Sequence, residues 1–177
     1  ADLSRRSAIH FEDVLTTLPN VAASAGASRQ RFFQIRGIGE RSQFIEPINP
    51  SVVILQDGVD ISGIGGALTT FDTAQIDVLR GPQGTLMGAG ALAGLINIQN
   101  NTPAETNFTD LALGLENFGG RRSSIVVNRP VSPTLSARIA HQNYHSNGWV
   151  DNTYLGVNDT NNRNETTTRL SIRQRYD

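Results

Sequence analysis

The residue groups that could carry chemistry are few, and most fail on spacing. Gly84, Gly88, Gly90 and Gly94 follow a short apolar run at 76–79. A glycine-rich turn after a strand is where backbone amides can cradle phosphate. Here the third glycine stands at the wrong spacing for a dinucleotide fingerprint. No acidic residue stands about twenty positions on to hold a ribose, Glu105 being too near and Asp110 belonging to another pattern. All 15 basic residues are arginine, so the lysine of a phosphate loop does not exist in this chain. His10, His141 and His145 raise the question of a metal. His141 and His145 lie in what reads as one strand, on one face but about 13 Å apart, too far to share an ion. The Asn- and Asp-rich stretch 147–164 matches a calcium loop only in composition, because Asp151, Thr153 and Leu155 break the spacing. Serines abound, yet no histidine sits near a glycine elbow, so no nucleophile–base–orienter set forms. Neither an enzyme, nor a cofactor, nor a metal site is expected.

Two apolar runs, 76–79 and 95–98, flank the glycines and read as buried strands. The first stops at Arg80-Gly81-Pro82, where proline cannot donate to a ladder and glycine permits a sharp turn. The second ends in Asn100, Asn101, Thr102 and Pro103. The glycines then serve close packing of a bent backbone. Upstream, the spacing of Phe11, Val14, Leu15 and Leu18 predicts a helix over 2–18, capped by Asp2 or Ser4 and stopped by Pro19. Residues 21–27 are small. Phe32, Gln34 and Arg36 alternate with Phe33 and Ile35 in a strand ending at Gly37. Residues 39–50 carry both charge signs, an aromatic and two prolines, and predict a loop. Apolar runs at 52–55 and 59–61 flank Gln56 and Asp57-Gly58, a strong turn signal. Residues 62–67 are glycine-rich, and Asp72 is placed to cap a helical turn before Ile76.

After Pro103 the pattern changes, which divides the chain into 1–103 and 104–177. Leu111, Leu113 and Leu115 alternate with polar or small residues, as do Ile125 and Val127, then Leu135, Ala137 and Ile139, then Leu170 and Ile172. Turn signals stand at 117–120 and 129–133, and the long polar loop at 147–164. Four strands of roughly ten residues with unlike faces fit a transmembrane barrel, although the signal is weak per segment. They also fit an ordinary antiparallel sheet with one solvated face. The residues alone leave both open.

Hydrophobic content is 38%, charged content 18% and net charge −1, so no basic excess exists to neutralise nucleic acid. The remainder is Gly, Ser, Thr, Asn and Gln, which suits irregular loops and polar-lined strands. Cysteine is absent, which excludes disulfides and thiol chemistry. Residues 1–6 lack the apolar core of a signal peptide. No apolar run approaches the roughly 18 residues of a membrane helix, a test that spanning strands escape.

Four pieces in order carry a resemblance. Ile76-Asp-Val-Leu-Arg-Gly-Pro-Gln-Gly-Thr-Leu-Met-Gly, followed by Ala-Leu-Ala-Gly-Leu-Ile-Asn-Ile, resembles the signature of the plug domain of TonB-dependent outer-membrane receptors. Phe33-Gln-Ile-Arg-Gly-Ile-Gly resembles that family's first arginine-glycine strand. Val53-Ile-Leu-Gln-Asp-Gly-Val-Asp resembles its aspartate-glycine turn, with Gln56 departing from the usual apolar residue. An amphipathic start near Glu12-Asp-Val-Leu completes the set.

The resemblance implies an α+β plug with a small mixed sheet over 1–103. Over 104–177 it implies the first four strands of a transmembrane β-barrel, a fragment because about 22 strands surround such a plug. It implies a bacterial outer-membrane active transporter, with a plug that occludes the lumen and helps bind a scarce solute. A ferric siderophore is the default. Implied ligand-facing residues are Glu40, Arg41, Gln43, Phe44, Ser62 and Phe71, with the loop 147–164. Arg36 and Arg80 are implied to pair with glutamates on the barrel wall, since a buried guanidinium needs a carboxylate. Implied partners are the TonB energy-transducing complex, the rest of the barrel and outer-membrane lipid. The family's TonB-binding box lies before the plug, and nothing in 1–6 matches it. The rival reading is a soluble extracellular α+β ligand-binding module.

Overall fold

Asp57 and Gly58 both take positive φ (51° and 83°), the conformation a two-residue hairpin demands, and they turn β3 (Val52–Gln56) into β4 (Val59–Asp60). This is one corner of a computed structural model that describes residues 8–24, 30–41, 47–64 and 68–176. The chain divides into two compact units, Ala1–Asn101 and Thr102–Asp177.

In the first unit β3 pairs in parallel with β6 (Gly94–Asn100), and β6 pairs antiparallel with β5 (Thr73–Arg80), giving the order β4-β3-β6-β5. A helical turn, α2 (Gly84–Met87), joins β5 to β6. The central strands are apolar without alternation because both faces are covered. Val52, Ile54, Ile96 and Ile98 pack with Phe11, Phe33, Ile35 and Leu68 on one side. Val53 and Leu95 pack with Ala91 on the other. β5 was expected to be buried like β6, but it lies at the sheet edge and Ala74, Gln75, Leu79 and Arg80 are exposed.

Two further expectations change. Of the helix expected over 2–18, residues 2–7 lie outside the described residues. The described part begins only at α1 (Phe11–Val14), continued by a 3-10 turn at Leu15–Thr17. His10, not Asp2 or Ser4, caps it, and the Asp13 carboxylate accepts from the His10 and Ile9 amides. Residues 8–10 are instead extended along 68–70, with Phe11 N donating to Leu68 O (2.8 Å) and Thr70 N to Ile9 O (2.9 Å). No helical turn follows Asp72. Its φ is 55°, its carboxylate accepts from Asn101 Nδ2 (3.0 Å), and β5 starts directly after it.

Residues 21–24, small and mostly apolar, form β1 (Val21–Ser24), which pairs antiparallel with β2 (Phe32–Ile35). All four β2 residues are buried, so the expected alternation gives way to cover on both faces.

In the second unit β7 (Phe108–Glu116), β8 (Gly120–Pro130), β9 (Leu135–Ser146) and β10 (Arg163–Gln174) form an antiparallel sheet in chain order. Short turns join β7 to β8 and β8 to β9, and a longer loop joins β9 to β10. Asn128 is fully buried and substitutes for a missing ladder before β7. Its Oδ1 accepts from Ala104 N (3.0 Å) and its Nδ2 donates to the Ala104 and Thr106 carbonyls.

Gly94 stands where β6 passes closest to its neighbours. A Cβ there would collide with Leu79 O and lie 2.6 Å from Ile35 Cδ1. Gly94→Ala is expected to destabilise the first unit by about 1–3 kcal/mol, the usual cost of overpacking. A lowered denaturant midpoint by circular dichroism checks this, and an unchanged midpoint contradicts the close approach.

Candidate functional site

The loop before β3 and the loop after β4 converge with the start of β2 around a cup of about 220 Å³. It is lined by Arg31, Phe32, Pro47, Pro50, Ser62, Gly63 and Ile64. The Arg31 guanidinium lies 5.2 Å from the Phe32 ring centroid. The cup therefore offers a cation, an aromatic edge and rigid proline walls, a surface suited to a ligand with both anionic and apolar parts. The preceding Gln30 Oε1 is buried with no hydrogen-bond partner among the described residues. Exposed Ile48 (95%) and Ile64 (56%) add apolar surface on the same loops.

The residues singled out in the sequence meet different fates. Ser62 lines the cup, but its hydroxyl accepts from Ile54 N (2.9 Å) and its amide donates to Asp60 Oδ1 (2.8 Å), so it shapes the wall. Glu40 Oε1 accepts from Ser51 N (2.9 Å) and Ser51 Oγ (2.8 Å), clamping the loop that precedes β3. Arg41 is exposed, its guanidinium reaching Gly37 O at 3.5 Å. Gln43 and Phe44 lie outside the described residues. Phe71 does not line the cup. It follows the pairing of 9–10 with 69–70, its amide donating to Thr69 Oγ1 (3.2 Å). Arg31 and Phe32 were missed as site residues because Phe32 read only as a strand position. The adjacent cation and ring were the available signal.

Arg36 and Gly37 form a two-residue hairpin with φ of 55° and 80°, closed by mutual bonds between Ile35 and Ile38. Arg80 ends β5 opposite Gly94. Both arginines are exposed, and neither has an ion pair among the described residues.

The second unit has two unlike faces, fixed by register. One face carries Arg122, Arg138, Arg163, Arg169 and Arg173, with Asp110, Glu116, Glu165, Gln142 and Tyr144. Arg122 lies 3.7 Å from Glu116, and Arg138 stands over the Phe108 ring. The other face carries Leu111 (70% exposed), Leu113 (89%), Leu115 (88%), Ile125, Val127, Ile139, Leu170 and Ile172.

This apolar belt is slanted. It covers Leu111 to Leu115 on β7 and Ile125 with Val127 on β8. On β9 it runs from Leu135 to Ile139, and on β10 it covers Leu170 and Ile172. In register terms it descends two to three two-residue steps over three strand spacings. That is roughly 14–20 Å along against about 14 Å across, a slope of about 45–55°. A level apolar belt around a barrel whose strands tilt by about 35–45° produces such a slant.

The sequence profile described as TonB-dependent Receptor Plug Domain matches residues 1–95, more than half of the chain. The chain belongs to that family. The pesticin receptor of Yersinia pestis is 31% identical over 101 residues, 57% of this chain and 15% of that protein. The catecholate siderophore receptor Fiu of Escherichia coli K12 is 31% identical over 84 residues, 47% of this chain and 11% of that protein. The crystal structure of the ferric yersiniabactin uptake receptor FyuA from Yersinia pestis superposes with a TM-score of 0.82 at 23% identity, covering 97% of this chain and 27% of that one. The open form of Fiu gives a TM-score of 0.72 at 21% identity, covering 96% of this chain and 23% of that one. The fold is thus that of a plug with its mixed sheet followed by antiparallel strands of an unclosed barrel. The chain spans about one sixth or less of the curated relatives it matches. Family membership places it in the outer membrane of Gram-negative bacteria.

Glu40→Ala removes both bonds to Ser51, a cost of about 1–3 kcal/mol for the amide left unmatched. Faster hydrogen exchange at Ser51 and its neighbours is the expected outcome, and unaltered exchange contradicts the clamp.

Proposed function

We propose that this chain is part of a TonB-dependent active transporter, in which residues 1–103 occlude a barrel that 104–177 begin. The observation that carries this reading is the pair of unlike faces on four strands that follow a plug-family domain. Exposed leucines at 111, 113 and 115 are costly in water and natural in hydrocarbon. The charged face suits a wet lumen. The same leucines weigh against a soluble binding module, since a contiguous exposed apolar stripe marks an interaction surface. The relatives named above are transport receptors, not enzymes, which supports a binding and translocation role.

The solute is best read as a ferric siderophore. Support comes from the relatives, among them a catecholate siderophore receptor and a ferric yersiniabactin uptake receptor, and from the cup beside β2, where Arg31, Phe32 and the prolines suit an anionic ligand with apolar parts. Glu40 and Ser62 organise this site, and Arg41, Gln43, Phe44 and Phe71 are proposed to contact the solute. The TonB complex supplies the energy that moves the plug. Arg36 and Arg80, exposed at tight turns with no ion pair among the described residues, are proposed to pair with barrel-wall carboxylates. Arginine's planar fork suits such bidentate pairing.

In the full-length receptor carrying this segment, uptake of iron-59 siderophore should require the TonB complex, and uptake that is undiminished without it sinks the reading. Arg36→Ala and Arg80→Ala should each loosen the plug, because breaking a buried pair costs about 3–5 kcal/mol. Severalfold greater sensitivity of cells to large antibiotics is expected, and unchanged sensitivity removes the plug-to-wall pairing.

A further inference from the structure

We infer that Asn128 is a positioning residue for transport: it anchors the strap 104–106 to the second unit and so limits how far the plug can be drawn. The inference rests on the transporter reading above, in which the TonB complex moves the plug. The chain is fastened within each unit on either side of the link between them. In the first unit Asn100 N donates to Asp57 Oδ1 (2.8 Å) and Asn100 Nδ2 donates to Asp57 Oδ2. Asn101 N donates to Asp72 O (3.0 Å) and Asn101 Nδ2 to Asp72 Oδ1 (3.0 Å). In the second unit Ala104 N donates to Asn128 Oδ1 (3.0 Å), while Asn128 Nδ2 donates to Ala104 O (2.9 Å) and to Thr106 O. Asn128 is fully buried, so water does not compete for these bonds. Between the two fastenings stand Thr102 and Pro103 alone. Pro103 is buried, and a proline favours an extended residue before it.

The Asn128 side chain holds the strap rather than the sheet. Pairing of β7 with β8 begins at Phe108, opposite Asn128, and needs none of the three bonds. Asn128 also stands opposite Arg138, so its carboxamide belongs to the charged face, and the strap it holds lies against that face. This is the face the transporter reading turns toward the lumen. The strap's other contacts are weaker or lie further on. Glu105 meets Arg175 (2.5 Å), but these side chains are 64% and 45% exposed, and an ion pair so exposed contributes little. Arg129 donates to Asn107 Oδ1 and to Phe108 O (2.9 Å), where β7 is already starting. Without Asn128 the next firm hold is therefore the ladder at Phe108.

Chain length turns this into a limit on travel. From Asn101 to Ala104 the backbone reaches about 10 Å when fully drawn out, and from Asn101 to Phe108 about 24 Å. The three bonds of Asn128 thus cut the reach of the link by more than half. A first unit held on so short a lead cannot be carried out of a barrel whole. A pull from the TonB complex rearranges it in place instead.

The test uses the full-length receptor in cells with and without the TonB complex. The cells are supplied with ferric yersiniabactin or a ferric catecholate, whichever the parent imports, and inhibition by vancomycin is read. Asn128→Ala removes the anchor. A flexible Gly-Ser insert of about six residues between Thr102 and Pro103 lengthens the link with every bond left in place, which keeps the test free of any folding defect in Asn128→Ala. With the TonB complex, both variants should be inhibited at severalfold less vancomycin than the parent, while iron-59 uptake persists. Without it, both should match the parent, whereas a merely loosened plug would leak in either case. Hydrogen exchange at the Ala104 amide should quicken in Asn128→Ala and stay at the parent rate in the insert variant. An insert variant no more sensitive than the parent, an equal gain in sensitivity with and without the TonB complex, or unaltered exchange at Ala104 in Asn128→Ala overturns the anchor. Parent uptake that does not need the TonB complex would instead overturn the transporter reading itself.

Discussion

A strand that carries leucine on one side and arginine on the other can rest only between two different media. The division of side chains between the two faces of the second unit follows from that constraint. The register of β7 to β10 keeps the two kinds of side chain apart over four strands, and one slip of register would exchange them. Four strands cannot close on themselves, so the outer edges of β7 and β10 carry unpaired backbone groups that hydrocarbon will not tolerate. The slanted belt turns the same constraint into geometry. Strand tilt is written in where the leucines stop on each strand.

The first unit solves a different problem. Its central strands are covered on both faces, so its shape depends on turns placed outside the apolar runs. Asp57-Gly58 and Arg36-Gly37 are both two-residue hairpins with positive φ at each residue. In each the glycine is cheap and the preceding residue is the strained one. Asp57 offsets part of that strain, because its carboxylate accepts from Asn100 N (2.8 Å) and Asn100 Nδ2, tying the hairpin to the end of β6. Arg36 makes no such side-chain bond among the described residues and stays exposed. The first arginine-glycine motif is therefore at once a turn and a projecting charge.

Much of this was legible beforehand because it depends on local pattern. Period-two alternation marked β7 to β10, and Asp-Gly between apolar runs marked the β3–β4 hairpin. What was not legible depended on tertiary cover. β1 is too short, and its side chains too small, to announce itself, and it exists because β2 offers an edge. The stripe at 11, 14, 15 and 18 suggested a long helix, yet backbone pairing of 8–10 with 68–70 takes the first residues. β5 and β6 looked alike in composition, and only strand order makes one an edge. At the site, Glu40 and Ser62 were visible as polar loop residues, but their bonds to Ser51 and Ile54 cross the chain and leave no trace in spacing.

The account turns on which medium each strand face meets. Residues 1–177 contain no cysteine, so once any cysteine elsewhere in the full-length receptor is replaced, single cysteines can be placed at Leu113 and at Thr167, on opposite faces. Spin labels at the two positions in lipid nanodiscs can then be tested for collision with oxygen and with a water-soluble nickel chelate. The account predicts that the label at 113 meets oxygen and not nickel, and that the label at 167 meets nickel. Equal access of nickel to both labels would contradict it.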